Sequence, residues 1–129
     1  MSGFHGIQVY EILENGNLLN GIYTNENLLK TKVDGDDSKS LNGDTSKEND
    51  YYIDIEIARK IDYNDKGIEG SYDCRYIEST NNLTTHCNLE ISNCNGVYKF
   101  TWSNLNGQNW VGLGLMAGTT HIAVSYDEV

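Results

Sequence analysis

The feature that most constrains the fold of this chain is a two-residue alternation of apolar and polar side chains, repeated in short segments between turn-forming residues. In the clearest segment, 51–58, three isoleucines alternate with Asp54 and Glu56. This pattern is typical of an antiparallel strand with one buried face, so we expect the isoleucines to point into the core and both acids into solvent. Similar runs lie near residues 6–13, 18–25, 28–33, 67–78, 85–93, 97–103, 109–116 and 120–127.

The turns between these runs predict which residues stand opposite one another. Asparagine-glycine pairs, typical of two-residue hairpin turns, occur at 15–16, 95–96 and 106–107. A turn at 95–96 places Leu89 opposite Trp102, and a turn at 106–107 places Trp102 opposite Val111. Six consecutive strands then share one apolar inner face. We therefore predict a single all-β domain over residues 1–129, an antiparallel up-and-down meander of about eight strands that closes into a small barrel.

The charge distribution excludes some classes of partner. The chain has 9 basic and 19 acidic residues and a net charge of −10, and no basic stripe offers a site for nucleic acid or an anionic membrane, which repel a net anion. Residues 34–50 are polar apart from Leu41 and hold six of the acids. We predict an acidic, flexible insertion loop here; a solvated insertion and a lid over a binding site both fit its composition.

Targeting signals and reactive motifs are also missing from the sequence. The chain starts without the basic and apolar regions of a signal peptide and has no apolar run long enough to span a membrane, so we expect a soluble, cytoplasmic protein. The odd number of cysteines, Cys74, Cys87 and Cys94, favours reduced thiols. No cysteine or histidine has metal-ligand spacing, and no catalytic motif is recognisable. We therefore expect no metal, no cofactor and no enzymatic activity.

The predicted inner face is rich in aromatic side chains, which allow two interpretations. They fill the barrel as plain core, or they line a site for one small hydrophobic or aromatic ligand, because a barrel of about eight strands is wide enough for either. The aromatic residues that we expect to contact such a ligand, in the lumen or at the barrel mouth, are Tyr23, Tyr72, Tyr98, Trp102 and Tyr126.

The last two strands suggest a contact surface. By the predicted register Gly112 and Gly114 point outward beside Ala123 and Ser125, forming a smooth stripe bordered by Trp110. Glycines in a strand often mark the close approach of another backbone. This stripe predicts an interface for a homodimer or higher oligomer. It also supports an alternative function, a protein-interaction or inhibitor module with a filled barrel that acts through this face or through the acidic loop.

Two short motifs resemble those of the avidin and streptavidin group of calycin-type barrels. Gly21-Ile-Tyr23-Thr-Asn25 resembles a first-strand motif of avidins, and Tyr98-x-Phe-x-Trp102 resembles an aromatic strand late in their barrel. The resemblance implies an eight-stranded barrel with a small ligand in its lumen. It also implies that Asn25 corresponds to a residue that hydrogen-bonds the biotin ureido group. Together with the inner aromatics, it favours a non-enzymatic, ligand-binding barrel.

Overall fold

The computed structural model describes residues 5–26, 28–29, 53–78, 83–105, 107 and 109–129. They form the strands β1 (His5–Leu13), β2 (Leu18–Asn25), β3 (Asp54–Lys60), β4 (Gly70–Glu78), β5 (Leu83–Cys94), β6 (Val97–Ser103), β7 (Asn109–Ala117) and β8 (His121–Glu128). The predicted acidic insertion at 34–50 and most of the run near 28–33 lie outside these residues. No helix in the described ranges is long and apolar enough to cross a membrane.

The eight strands form one closed antiparallel barrel in chain order. Each strand pairs with the next, and β1 pairs with β8 to close the ring. The prediction of an all-β meander closing into a small barrel is therefore confirmed. We name the two ends by residues: the His5 end, where β1 begins and β8 ends, and the Lys60 end, where β3 ends and β4 begins.

The predicted register is correct for part of the barrel. Leu89 stands opposite Trp102, and Cys74 stands opposite Cys87. At the β6–β7 connection the predicted two-residue turn is wrong. Ser103 pairs with Asn109, so the connection between the two strands has five residues. A shift of one residue turns every side chain of a strand to the other face. A second shift of one residue at the β7–β8 turn restores the predicted inner face of β8.

Strand β3 lies with the opposite face inward from the one predicted. Asp54, Glu56, Ala58 and Lys60 point into the barrel and are buried, whereas the isoleucines of β3 are exposed. The connection from β3 to β4 is longer than a two-residue turn, and Ala58 rather than an isoleucine stands opposite Cys74. The strand with the clearest alternation therefore places its carboxylates inside the barrel.

Strand β7 is inverted in the same way, so the predicted outward orientation of Gly112 and Gly114 is wrong. Both glycines are buried and face the interior. Gly112 lies between Phe100 and Tyr126 in the register. A Cβ atom on Gly114 would lie 2.8 Å from Cε1 of Phe100. The large inward side chains of the flanking strands therefore occupy the space that side chains on β7 would need.

The Lys60 end is closed by a polar network beneath the apolar core. The Nζ atom of Lys60 donates to Oδ1 of Asn64 (2.8 Å) and to the carbonyl of Gly67 (2.6 Å). Asn17 and Asn64 bond each other through side chain and backbone at 2.6 and 2.9 Å. Each of these buried polar groups thus has a partner, which avoids the cost of burying it unpaired. Burial lowers the pKa of Lys60.

Candidate functional site

Aromatic side chains gather on the inner face near the His5 end. Tyr23 meets Tyr76 and Tyr126 edge-on, with ring centroids 6.4 and 6.5 Å apart. Tyr76 in turn meets Trp110 at 6.2 Å, and Trp102 lies 5.7 Å from Tyr126. We call these five residues the aromatic cluster. Tyr23, Tyr76 and Trp110 are only partly buried, so the cluster is less enclosed than the fully buried core below it.

The carboxylate of Glu56 lies in the lumen and is 5% exposed. Its Oε2 atom accepts hydrogen bonds from the hydroxyl of Tyr10, from Nε1 of Trp102 (3.0 Å) and from the thiol of Cys74 (3.0 Å). These donors come from β1, β6 and β4, so one carboxylate oxygen ties three strands to β3.

The buried carboxylates of β3 shape the electrostatics of the lumen. Burial raises the pKa of Tyr10 well above its usual value, and the charge of Glu56 raises it further. Burial also raises the pKa of Tyr23, and the negative charges of Asp54 and Glu56 add to that rise. Both hydroxyls therefore stay protonated at neutral pH. The potential around Tyr23 is negative and favours positive charge.

A buried amide nitrogen in this part of the barrel has no partner among the described residues. Gln8 is 3% exposed, and within those residues its Nε2 makes no hydrogen bond. The amide lies over Gly21, where an added Cβ would come within 3.1 Å of Nε2. Gly21 stands directly opposite Glu56 in the β2–β3 register. An unpaired buried donor costs about 1–3 kcal/mol, so a group that accepts its hydrogen bond would be favoured at this position.

Asn25 is buried at the His5 end and uses both ends of its amide. Nδ2 lies 3.1 Å from the hydroxyl of Tyr126, and Oδ1 accepts a hydrogen bond from the backbone N–H of Leu28 at 2.6 Å. Burial raises the pKa of Tyr126, while the hydrogen bond from Asn25 lowers it in part. Asn25 thus fixes the chain after β2 and orients one ring of the aromatic cluster.

The structure brings four of the six predicted ligand contacts together: Tyr23, Asn25, Trp102 and Tyr126 lie near the His5 end. The other two lie near the Lys60 end. The hydroxyl of Tyr72 is 2.6 Å from the carbonyl oxygen of Gly16 and 2.7 Å from that of Ile68. Tyr98 is the second residue of β6, which begins at that end. Tyr72 therefore helps to close the barrel base.

The predicted interface residues are divided between the two faces. Trp110 packs against Tyr76 in the aromatic cluster, and Gly112 and Gly114 are buried beside it on the inner face. Only Ala123 and Ser125 face solvent as predicted. Their neighbours on β7 are the exposed residues Leu113 and Leu115 rather than glycines.

The thiols and imidazoles do not gather into a site. Cys74 and Cys87 are buried and reduced, and Cys94 is exposed. Burial raises the pKa of the Cys74 thiol, which makes it a poor nucleophile. His86 and His121 lie on the outer face. Within the described ranges, no three side chains of the metal-binding types lie close enough to hold an ion.

Sequence reasoning missed Gln8, Asp54 and Glu56 as lumen residues. Alternation in β3 shows that two faces differ but does not show which face is inside. One signal was present elsewhere: Trp102 and Tyr126 were predicted to face the lumen, and Phe100 shares the face of Trp102 because it lies two residues before it. Such large side chains on the strands flanking β7 favour glycines between them. Placing the glycines of β7 on the inner face would have placed its leucines on the outer face. The outer face would then have been predicted to be partly apolar.

Comparisons with protein-family models, with curated proteins and with solved structures find no match for this chain. The eight-stranded antiparallel barrel is consistent with a calycin-type or avidin-like barrel. The likeness to the avidin group therefore rests on this architecture and on the two short motifs.

Proposed function

We propose that this chain is a non-enzymatic barrel that binds a small ligand in its lumen near the His5 end. The observation that carries the proposal is the unpaired amide of Gln8, buried on the same inner face as the aromatic cluster. Ligand sites combine aromatic walls with a few directed polar groups. Glu56 and Gln8 would supply an acceptor and a donor, and Tyr23 and Trp110 the walls.

Mass spectrometry of the purified protein tests this function. A native spectrum compared with a denaturing one is expected to show a noncovalent adduct that leaves when the barrel unfolds. Fluorescence of Trp102 and Trp110 is expected to change when the adduct is removed by unfolding and refolding, because both rings belong to the aromatic cluster. Identical masses in the two spectra, together with unchanged fluorescence in a screen of small molecules, would argue against a ligand-binding role.

The outer face supports a second candidate, self-association. Exposed aliphatic side chains lie on β1, β2, β3 and β7, among them Ile7 (58% exposed), Leu113 (61%) and Leu115 (60%). One row runs in register across five strands: Leu115, Ala123, Val9, Ile22 and Ile55. The strands of this row are adjacent in the barrel, and contiguous exposed apolar patches mark protein–protein interaction sites.

We therefore propose a second copy of this chain as the occupant of that face. Light scattering is expected to give a dimer or larger assembly for the wild type and a monomer for Leu115→Lys. Glu90→Lys, on the polar outer face of β5, is the matched control and should leave the assembly unchanged. A monomeric wild type, or capture of the wild type by lipid vesicles, would contradict self-association.

A further inference from the structure

We propose that the lumen site takes a small organic cation, an amine or amidinium that also carries a neighbouring hydrogen-bond acceptor. The inference rests on the proposed ligand-binding function and adds the chemical class of the ligand. Its basis is the inner face of β3, where Asp54 is 4% exposed and Glu56 is 5% exposed. A buried carboxylate such as that of Glu56 is costly unless positive charge or hydrogen bonds offset it.

The described contacts of Glu56 offset its charge only with neutral groups. A phenol, an indole and a thiol donate to Oε2, and no ion pair within the described ranges includes Glu56. Lys60 is the buried cation on the same face of β3, but it is four residues away, roughly 13 Å along a strand. Its Nζ bonds Asn64 and Gly67 instead. A ligand cation beside this carboxylate would supply the positive charge that the three neutral donors do not.

The aromatic cluster suits the same chemistry. The faces of Tyr and Trp rings attract ammonium and guanidinium groups, and the attraction grows when the ion is removed from water. Tyr23 stands opposite Asp54 in the β2–β3 register, so ring and carboxylate adjoin. The negative potential at Tyr23, evident in the effect of both carboxylates on its pKa, would stabilise a cation at that position.

Gln8 defines the second requirement on the ligand. Its unpaired Nε2 can only donate, so it needs an acceptor such as a hydroxyl, carbonyl or ring nitrogen. Gly21 lies on β2 between Gln8 on β1 and Glu56 on β3, so the donor and the carboxylate flank the same strand on the inner face. A ligand with its cationic group next to an acceptor can therefore engage both. The net charge of −10 also favours the approach of a cation.

A matched series of probes tests the charge requirement on the wild-type protein. Phenethylamine, 2-phenylethanol and phenylacetate have similar shapes but carry positive, zero and negative charge at pH 7. Binding is followed by the fluorescence of Trp102 and Trp110 and by isothermal titration calorimetry. We expect phenethylamine to bind about tenfold or more tightly than 2-phenylethanol, and phenylacetate to bind weakest. Adding an acceptor beside the amine, as in phenylalaninol, should tighten binding further.

Charge-neutralising variants test the residues. Glu56→Gln keeps the size of the side chain and removes its charge, so it should abolish the preference for phenethylamine over 2-phenylethanol. Asp54→Asn should weaken the same preference and serves as the second variant if Glu56→Gln does not fold. The matched controls are Glu90→Gln and Asp73→Asn, which change exposed carboxylates on the outer face. Both controls should bind like the wild type.

The outcomes separate this inference from the proposed function. Equal or tighter binding of 2-phenylethanol or phenylacetate, or a neutral or anionic adduct in the native mass spectrum, overturns the cationic ligand and leaves a ligand-binding barrel. A wild type that binds none of the probes and carries no adduct overturns both. An unchanged preference for phenethylamine in Glu56→Gln and in Asp54→Asn also overturns the assignment to β3.

Discussion

Replacing Gln8 with leucine should stabilise the ligand-free barrel. The amide nitrogen of Gln8 is buried, and no residue in the described part of the chain is its hydrogen-bond partner. Such a group destabilises a fold by about 1–3 kcal/mol relative to a satisfied or apolar one. Leucine has a similar size and no polar atoms, and the neighbouring Tyr10 ring and Gly21 backbone can pack against it. We therefore expect Gln8→Leu to raise the free energy of unfolding by about 1–3 kcal/mol.

The assay is urea unfolding of refolded, ligand-free protein, followed by tryptophan fluorescence and circular dichroism. In thermal unfolding of a chain of 129 residues, each kcal/mol of added stability would raise Tm by roughly 3–5 °C. Asn20→Leu is the matched control, because Asn20 is an exposed amide on β2, and it should change stability by less than about 0.5 kcal/mol. If Gln8→Leu is no more stable than the wild type, the amide has a partner in solution, and the argument that it awaits a ligand fails.

Further measurements test the packing, the buried hydroxyls and the thiols. Gly114→Ala should cost about 1–3 kcal/mol, because its Cβ would lie 2.8 Å from Phe100; urea unfolding at wild-type stability would contradict the close approach. Four tyrosines have raised pKa values, three of them buried and Tyr23 partly buried, and they should ionise in ultraviolet titration only on unfolding. Because the unfolded phenols lose protons first, stability should fall above about pH 10. Titration of these phenols in the folded protein near pH 10 would contradict their burial. Cys94 should react with a thiol reagent at once, and Cys74 and Cys87 only on unfolding; immediate reaction of all three would show an open lumen.

The sequence predicts the barrel better than it predicts the site. Strand number and order follow from alternation and turn residues, and the pairings around Asn95-Gly96 are correct because that turn has the predicted length. The inner face of β3 is not determined by the same pattern, because both of its faces alternate regularly and the connection to β4 is not a tight turn. The isoleucines of β3 would also be buried if the outer face of the barrel packed against a second copy of the chain. The sequence of one chain does not distinguish isoleucines buried in such an interface from isoleucines buried in a core.

The errors in β3 and β7 have one physical origin. Apolar residues were assumed to face inward and charged or small residues outward, which holds for a monomer with a plain core. In this barrel Glu56 is held inside by three donors, and Gly112 makes room for large rings on both sides. Neither effect is local, since each depends on side chains from strands far away in the sequence. The site residues Gln8 and Glu56 could therefore not be found from their own segments.

The closure of the ring by β1 and β8 has a consequence for biosynthesis. His5 pairs with Asp127 across this seam, so β1 keeps one unpaired edge until β8 has left the ribosome. Contacts between residues so far apart in sequence are slow to form, and open strand edges are prone to join other chains. The first seven strands are thus an aggregation hazard that only the last strand removes. Truncations within β8 should accumulate as insoluble chains rather than as shortened barrels.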